Sequence, residues 1–200
     1  PKGDYTILAE ARVIPGEVNV TDNSKILDNT VTILSTQHDV AIKAVSPCRT
    51  VLAKGYPSFV NVTIKNYGSF VETFNTTLYC DANLIGAEAA TLRSGESKFL
   101  TFKWIPANLG ECTIKATIDV LENENDTKDN ILVYGTVRVS ISGDVNADGK
   151  VNLLDIYQVA RAFQTSPEHS KWNSNADLNE DGLINLGDVF IVARNFGKTI

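Results

Sequence analysis

Apolar and polar residues alternate along most of residues 39–142. Val60, Val62 and Ile64 are separated by polar neighbours. The same period of two runs through residues 74–80 and 112–120, with apolar or small residues at every second position. This period puts one side of each strand in a core and the other in water. About seven such strands, separated by turn residues such as those at 66–69, predict an antiparallel, immunoglobulin-like β-sandwich.

The pattern changes to helical spacing near residue 143, with no flexible linker before it. Apolar residues then recur three and four positions apart, which predicts two amphipathic helices. One face of each helix would be apolar, formed by Leu153, Ile156, Ala160 and Phe163 in the first helix, and by Leu186, Val189, Ala193 and Phe196 in the second. Ser166 as N-cap and Pro167 at the first helical position predict a short connecting helix up to Trp172. The sequence therefore predicts a multidomain, mainly β chain with a small all-α module at its end.

Charge and composition exclude several classes of function. The 200 residues carry 18 basic and 24 acidic side chains, so the net charge is −6. This charge argues against nucleic acid or an anionic membrane surface as a partner. No apolar run reaches the length that a transmembrane helix needs. Because the chain opens at Pro1 and contains no Met, we expect it to be a fragment of a longer protein.

Three cysteines, Cys48, Cys80 and Cys112, allow at most one intramolecular disulfide bond. Their spacing matches no zinc motif. Cys80 ends one alternating segment and Cys112 begins another, both on the inward side, so a bond among the three near one end of the sandwich is reasonable. The count leaves the pairing open, and it also leaves open that the cysteines are buried small apolar residues.

Two twelve-residue segments of the C-terminal region carry oxygen-bearing side chains in one spacing. The first begins at Asp144 and the second, 33 residues later, at Asp177. Positions 1, 3, 5, 9 and 12 are Asp or Asn in both segments, and position 6 is glycine. This is the pattern of a calcium-binding loop, with Asp replacing Glu at position 12. An Asx-rich turn or a catalytic carboxylate pair are the alternatives, but the in-register repeat favours calcium.

The spacing predicts one Ca²⁺ ion in each loop, two in all. We expect side-chain ligands at positions 1, 3 and 5, a main-chain carbonyl at position 7, a water-mediated contact at position 9 and a carboxylate at position 12. The predicted ligands are Asp144, Asn146, Asp148, Lys150, Asn152 and Asp155 in the first loop, and Asp177, Asn179, Asp181, Leu183, Asn185 and Asp188 in the second. Because each loop gathers three carboxylates, we expect calcium binding to be coupled to folding.

The paired loops, each followed by one helix, resemble a type I dockerin. The resemblance covers residues 143–197 and includes the matching loop starts at 143–146 and 176–179. It implies two F-hand loop–helix motifs and a non-catalytic, calcium-dependent module that binds a cohesin and tethers a larger protein to a scaffold or cell surface. The two-fold symmetry of the family often permits two opposed binding orientations.

The resemblance also implies which residues contact the partner. Positions 10, 11 and 18 of the two repeats, which are recognition positions in the family, are Leu153, Leu154, Arg161, Leu186, Gly187 and Arg194. Cellulosomal members often carry Ser or Thr at positions 10 and 11, so this chain departs from them. The departure leaves open a more apolar cohesin, a different surface, or core roles for Leu153 and Leu186.

Residues 38–142 resemble a CARDB domain, an immunoglobulin-like sandwich of surface proteins. The resemblance rests on motifs at 66–68, 102–104 and 122–130. It implies that the sandwich is a spacer or brace for the dockerin. Residues 1–37 resemble the last two strands of another copy, since Gly3–Ile7 matches Gly110–Ile114. The predicted domains are therefore 1–37, 38–142 and 143–200.

Two other functions stay open at this stage. The dockerin-like module could be a calcium-stiffened structural domain that packs only against its own chain, in which case the sandwich would bury both helices. The chain could also be the C-terminal tail of a secreted hydrolase. The acidic stretch at 119–129 could bind a third cation, although a solvated loop is the preferred interpretation. We expect an extracellular or cell-surface protein.

Overall fold

The computed structural model describes residues 3–33 and 37–200, and the chain divides into two compact units, Pro1–Gln37 and His38–Ile200. The first unit contains the short strands β1 (Gly3–Tyr5), β2 (Leu8–Glu10), β3 (Ser24–Ile26) and β4 (Val31–Ile33). β1 pairs with β4 and β2 pairs with β3, both antiparallel. Residues 1, 2 and 34–36 of the predicted first domain lie outside the described residues.

The second unit begins with a sandwich of two sheets. Its strands are β5 (Val40–Pro47), β6 (Val51–Ala53), β7 (Ser58–Asn66), β8 (Glu72–Cys80), β9 (Asn83–Leu92), β10 (Ser97–Trp104), β11 (Gly110–Ile118) and β12 (Ile131–Ser140). One sheet has the order β10-β7-β5 and the other β6-β12-β11-β8-β9. All pairs are antiparallel except the parallel pair of β6 and β12.

The strand alternation read from the sequence is confirmed in the sandwich. Every second residue of β7 is buried, and Val60, Val62 and Ile64 belong to the core between the sheets. Cys112 and Ile114 on β11 face the same core. The sequence left the cysteine pairing open. In the structure, Cys80 and Cys112 form a disulfide bond, and Cys48 is a free, half-buried thiol.

The C-terminal part contains two helices, α1 (Leu153–Arg161) and α2 (Leu186–Asn195), with a 3₁₀ helix at Ser174–Ala176. A second, smaller core fills the space around them; its buried members are Val145, Val151, Val159, Ala162, Ala176, Ile184 and Val192. No helix within residues 3–33 and 37–200 has both the length and the apolar character needed to cross a membrane. The predicted fold class, a mainly β sandwich followed by a small helical module, is confirmed.

The structure answers one question that the sequence left open about the helices, and it contradicts one prediction, the connecting helix. The core-facing sides of α1 and α2 carry Asp155 with Val159 and Asp188 with Val192, whereas Leu153 and Leu186 are about 70% exposed, at 71% and 72%. The position-12 carboxylate must point into its loop, and this fixes which side of each helix faces inward. The connecting helix up to Trp172 does not form; that segment makes isolated turns, such as the one in which His169 N donates to Ser166 O.

The junction between the sandwich and the helical part is tightly packed at Gly143. This residue has φ +95°, and a Cβ placed there would lie 3.2 Å from Val151 Cγ1 and 3.3 Å from Val192 Cα. A larger residue is therefore disfavoured by both its backbone conformation and its contacts. Three residues earlier, β12 ends at Ser140, so the last sandwich strand leads directly into the first loop.

Candidate metal centre and partner surface

The first oxygen-lined loop is closed by hydrogen bonds from its own backbone. Asp144 at position 1 accepts hydrogen bonds from Asp148 N at 3.2 Å and Gly149 N at 2.9 Å. Asp155 at position 12 accepts from Val145 N at 2.8 Å, across the whole length of the loop. These bonds turn the oxygens of positions 1 and 12 toward the loop interior.

The second loop repeats this network. Asp177 accepts hydrogen bonds from Asp181 N at 3.2 Å and Gly182 N at 2.9 Å, and Asp188 accepts from Leu178 N at 2.7 Å. The glycines at position 6, Gly149 and Gly182, have φ of +83° and +82°. Residues with a side chain rarely adopt a backbone conformation with positive φ, because their Cβ would clash. This explains why position 6 is glycine in both loops.

The residue at position 9 caps the following helix. Asn152 Oδ1 accepts a hydrogen bond from Leu154 N at 2.7 Å, and Asp155 Oδ2 accepts one from Asn152 N at 2.8 Å. Asn185 and Asp188 form the same reciprocal pair at the start of α2. Position 12 thus joins two tasks, since its carboxylate closes the loop and fixes the first turn of the helix.

The donor set of both loops fits a hard divalent cation. Asp144, Asp155, Asp177 and Asp188 are almost completely buried, and none of the four forms an ion pair with a basic side chain among the residues that the structure describes. Buried carboxylates without a positive partner are costly. Burial raises the pKa of Asp177, and the neighbouring carboxylates of Asp188 and Asp181 raise it further, against the N–H donors of Gly182 and Asp181. A cation with oxygen preference, such as Ca²⁺, would compensate this charge.

Each loop is also held by the chain segment that follows the helix of the other repeat. Gln164 N, after α1, donates to Ile184 O in the second loop at 2.8 Å. Gly197 N, after α2, donates to Val151 O in the first loop at 2.8 Å. The two repeats therefore exchange supporting segments, a crosswise arrangement that the loop spacing alone did not reveal.

The sandwich supports the second loop through Arg49, a residue that the sequence analysis missed. Arg49 is only 5% exposed, and its Nη1 donates to the carbonyl oxygens of Asp177 at 3.4 Å and Leu178 at 3.2 Å. Its Nη1 also lies 4.0 Å from Glu180 Oε1. Burial lowers the pKa of Arg49, and the carboxylates of Glu180, Asp177 and Asp188 oppose this effect.

A second polar contact joins the sandwich to the same region. The Asn175 side-chain oxygen accepts hydrogen bonds from Thr50 N at 2.9 Å and Val51 N at 3.0 Å. At the first loop, the Ser140 hydroxyl donates to Asp144 Oδ2. The sandwich therefore holds the two loops unequally. No sequence signal could have identified the role of Arg49, because its contact with the second loop exists only when the two domains pack together.

The predicted partner residues lie on the exposed sides of α1 and α2. Leu153, Leu154 and Arg161 are exposed on α1, and Leu186 and Arg194 are exposed on α2, where Gly187 is half-buried. The repeat also aligns Tyr157 with Phe190, which are 57% and 65% exposed. The sequence analysis did not identify these two aromatic residues as partner contacts. The signal was available, because Tyr157 and Phe190 are 33 positions apart, as are Leu153 and Leu186.

A β-sandwich joined to two loop–helix repeats defines a modular class of protein, and comparison with known families identifies its parts. Residues 142–197 match the family model for the dockerin type I domain, and residues 37–133 match the CARDB family model. The chain therefore contains a CARDB domain followed by a type I dockerin domain. Type I dockerin domains are known to bind calcium. The presence of this domain supports a cohesin as the binding partner.

Several solved structures are similar to parts of this chain. The CARDB domain of a Pyrococcus furiosus protein, in complex with di-metal ions, is 23% identical, covers 55% of this chain and 99% of its own, and has a TM-score of 0.48. A type II cohesin–X-dockerin interface mutant from Acetivibrio cellulolyticus is 27% identical over 62% of this chain and 81% of its own, with a TM-score of 0.27. A β-glucosidase from Listeria innocua is 15% identical over 64% of this chain and 19% of its own, with a TM-score of 0.38.

All three TM-scores are below 0.5, so these similarities assign no function to the chain. No curated protein matches the sequence. The assignment of the two domains therefore rests on the family models and on the geometry of the loops.

Proposed function

We propose that this chain is a calcium-dependent assembly module in which the dockerin binds a cohesin and the CARDB domain braces the dockerin. The observation that carries the proposal is the matched pair of exposed apolar sites on the two helices. Leu153 and Tyr157 on α1 have the same spacing and nearly the same exposure as Leu186 and Phe190 on α2. Large apolar side chains exposed at corresponding positions are typical of a surface that a partner covers.

The exposure of these residues also weighs against the purely structural alternative. A calcium-stiffened domain that packs only against its own chain would bury both helices in the sandwich. Instead, the sandwich contacts the second loop and the residues before it, through Arg49 and Thr50, and the outer sides of both helices remain exposed. The tail of a secreted hydrolase stays compatible with the proposal, because a dockerin can tether such an enzyme.

We infer that two Ca²⁺ ions organise this surface, one in each loop. The ligands would be the twelve residues predicted from the spacing, with Lys150 and Leu183 acting through their carbonyl oxygens. Position 9 has its side-chain oxygen engaged as a helix cap, which suits a water-mediated contact better than a direct one. Leu153, Leu154, Arg161, Leu186, Gly187 and Arg194 are the proposed partner contacts, to which the helix geometry adds Tyr157 and Phe190.

We also propose that the protein works outside the cell or at its surface. Dockerin and CARDB domains are typical of such proteins, and a disulfide bond such as that between Cys80 and Cys112 is typical of an oxidising compartment. Residues 1–37 are proposed to be the end of a further CARDB-like copy. In support, Tyr5 pairs with Val31 in the register in which Cys112 pairs with Val137.

The test is calcium-dependent capture on a panel of immobilised type I cohesins. We expect the chain to bind at least one of them in millimolar calcium and to be released by EDTA. Asp148→Ala with Asp181→Ala should abolish capture, since each change removes the carboxylate at position 5. The matched control, Glu122→Ala with Glu168→Ala, removes two exposed carboxylates outside the loops and should bind normally. Full affinity in the loop variant would refute a calcium-organised surface.

A further inference from the structure

The acidic loop between β11 and β12 folds over the start of the first sandwich strand. Val40 N donates to Glu124 Oε1 at 3.1 Å, and Ile42 N donates to Asp129 O at 2.9 Å. Glu124 Oε2 accepts two further hydrogen bonds, from Leu121 N at 2.9 Å and Asn130 Nδ2 at 2.7 Å. Glu124 therefore fastens the loop, and both of its oxygens are occupied.

Three other oxygens at this end of the sandwich have no such partner. Asp39 Oδ1, Asp129 Oδ1 and Asn130 Oδ1 are inaccessible to solvent and accept no hydrogen bond from the described residues. Asp39 and Asn130 are 9% and 1% exposed. A carboxylate and an amide oxygen are acceptors only, so burying them without a donor or cation costs about 1–3 kcal/mol each.

The surroundings of these oxygens favour a cation over a neutral donor. Burial and the nearby carboxylates of Asp129, Glu124 and Asp126 raise the pKa of Asp39. Burial and the carboxylates of Asp126 and Glu124 likewise raise the pKa of Asp129, against a hydrogen bond from its own backbone N–H and the charge of Lys43, which lower it. The basic side chains close by are directed elsewhere: Lys43 lies over the Tyr67 ring, and His38 pairs with Glu72 at 2.7 Å.

We propose that Asp39, Asp129 and Asn130 form a third divalent-cation site, in the sandwich and independent of the dockerin loops. Oxygen ligands from two carboxylates and one amide suit a hard ion such as Ca²⁺, with water completing the shell. The ion would tie the acidic loop at 119–130 to β5 and so stiffen this end of the sandwich. The sequence analysis preferred a solvated loop here, because it did not reveal that Asp39 lies beneath the loop.

The test counts calcium equivalents by titration calorimetry on the full chain. Asp148→Ala with Asp181→Ala should disable the dockerin loops and leave one equivalent. Adding Asp39→Asn and Asp129→Asn, which keep the side-chain shape, should remove that equivalent or weaken it at least tenfold. The matched control adds Asp119→Asn and Glu122→Gln instead, which removes two acidic charges from the same stretch, and should keep it.

A second measurement uses the unmodified protein. Amide exchange of residues 119–130 should slow when calcium is added, because the ion joins this loop to β5. If the loop-disabled protein binds no calcium and exchange at 119–130 is unchanged, the proposal is wrong, and a proton shared by Asp39 and Asp129 would explain their burial. The dockerin loops are scored separately in this design, so their failure and the failure of the third site are distinguishable.

Discussion

Arg49 of the sandwich donates a hydrogen bond to the backbone carbonyl oxygen of Leu178, 3.2 Å away in the second dockerin loop. The guanidinium is anchored on its own side by Val51 O, which accepts from Nε at 3.1 Å and from Nη2 at 2.8 Å. Because the planar guanidinium is hydrogen-bonded on both sides, it fixes both the distance and the orientation of the second loop relative to the sandwich. No described basic side chain plays this role in the first loop, where position 4 is Ala147 instead of Glu180.

Arg49→Met should therefore weaken calcium binding at the second loop and leave the first loop unchanged. Loss of a residue that orients metal ligands typically lowers metal affinity by about 10–100-fold. The position-6 amides can report each site by NMR, because Gly149 N and Gly182 N donate to the position-1 carboxylates. Equal losses at both loops would contradict the proposed role of Arg49.

Two further variants test whether the effect depends on the location of Arg49 and on the neighbouring carboxylate of Glu180. Arg138→Met removes an exposed arginine on β12, 3.7 Å from Glu111, and should change neither loop. Glu180→Ala makes position 4 of the second loop identical to that of the first. In the Arg49→Met background, Glu180→Ala should restore part of the lost affinity, because it removes a buried carboxylate that has lost its positive neighbour.

The first loop depends on a different support, the last residues of the chain. Val151 N donates to Lys198 O, and Ile200 N donates to Gly149 O, both at 2.9 Å. A chain that ends at Gly197 loses both bonds, at about 1 kcal/mol each. Calcium affinity at the first loop should then fall at least tenfold, and the Gly182 signal should titrate as before. Loss at both loops would indicate that the tail stabilises the whole module.

The loops were predictable from sequence because their predicted ligands are close together along the chain. Spacing alone identified Asp144 and Asp177 as paired starts. The helix sides were not predictable in this way, since a periodic pattern allows several inward faces and the buried carboxylates of Asp155 and Asp188 select one. The contact of Arg49 with Leu178 joins residues far apart in sequence, and only the docking of the two domains creates it.

The two helix surfaces should contribute unequally to partner binding, despite their symmetry. Phe190 and Arg194 on α2 line the same cleft as Ala53 and Tyr56 of the sandwich. A partner centred on α2 must therefore accommodate the sandwich as well, whereas Leu153 on α1 is not among the residues that line this cleft. We expect one binding orientation, centred on α1, to dominate.

Matched double variants can measure this preference. Leu153→Ala with Tyr157→Ala should reduce cohesin affinity by at least about 100-fold, in line with the loss of two large apolar contacts. Leu186→Ala with Phe190→Ala should reduce it less than about tenfold. Binding curves of the two variants, measured on the same cohesin, decide the matter. Small losses in both variants, with a large loss only when all four are changed, would indicate two equivalent orientations.

Calcium removal should loosen the dockerin and leave the sandwich folded. Seven buried apolar residues form the described dockerin core, against nineteen in the sandwich, which also holds the Cys80–Cys112 disulfide bond. Without cations, the buried carboxylates of Asp155 and Asp188 repel their loop neighbours, and the small core cannot offset that repulsion. In EDTA, amide exchange should accelerate through α1 and α2, and β7 and β11 should stay protected.

Magnesium provides the control for this prediction. Mg²⁺ demands a compact octahedral shell and keeps its water, so it should restore protection far less than Ca²⁺ at the same concentration. Full protection of both helices in EDTA would show that the packing of Val159 and Val192 alone holds the dockerin together. Accelerated exchange throughout the sandwich would instead show that the two domains unfold as one unit, because their contact through Arg49 and Asn175 couples them.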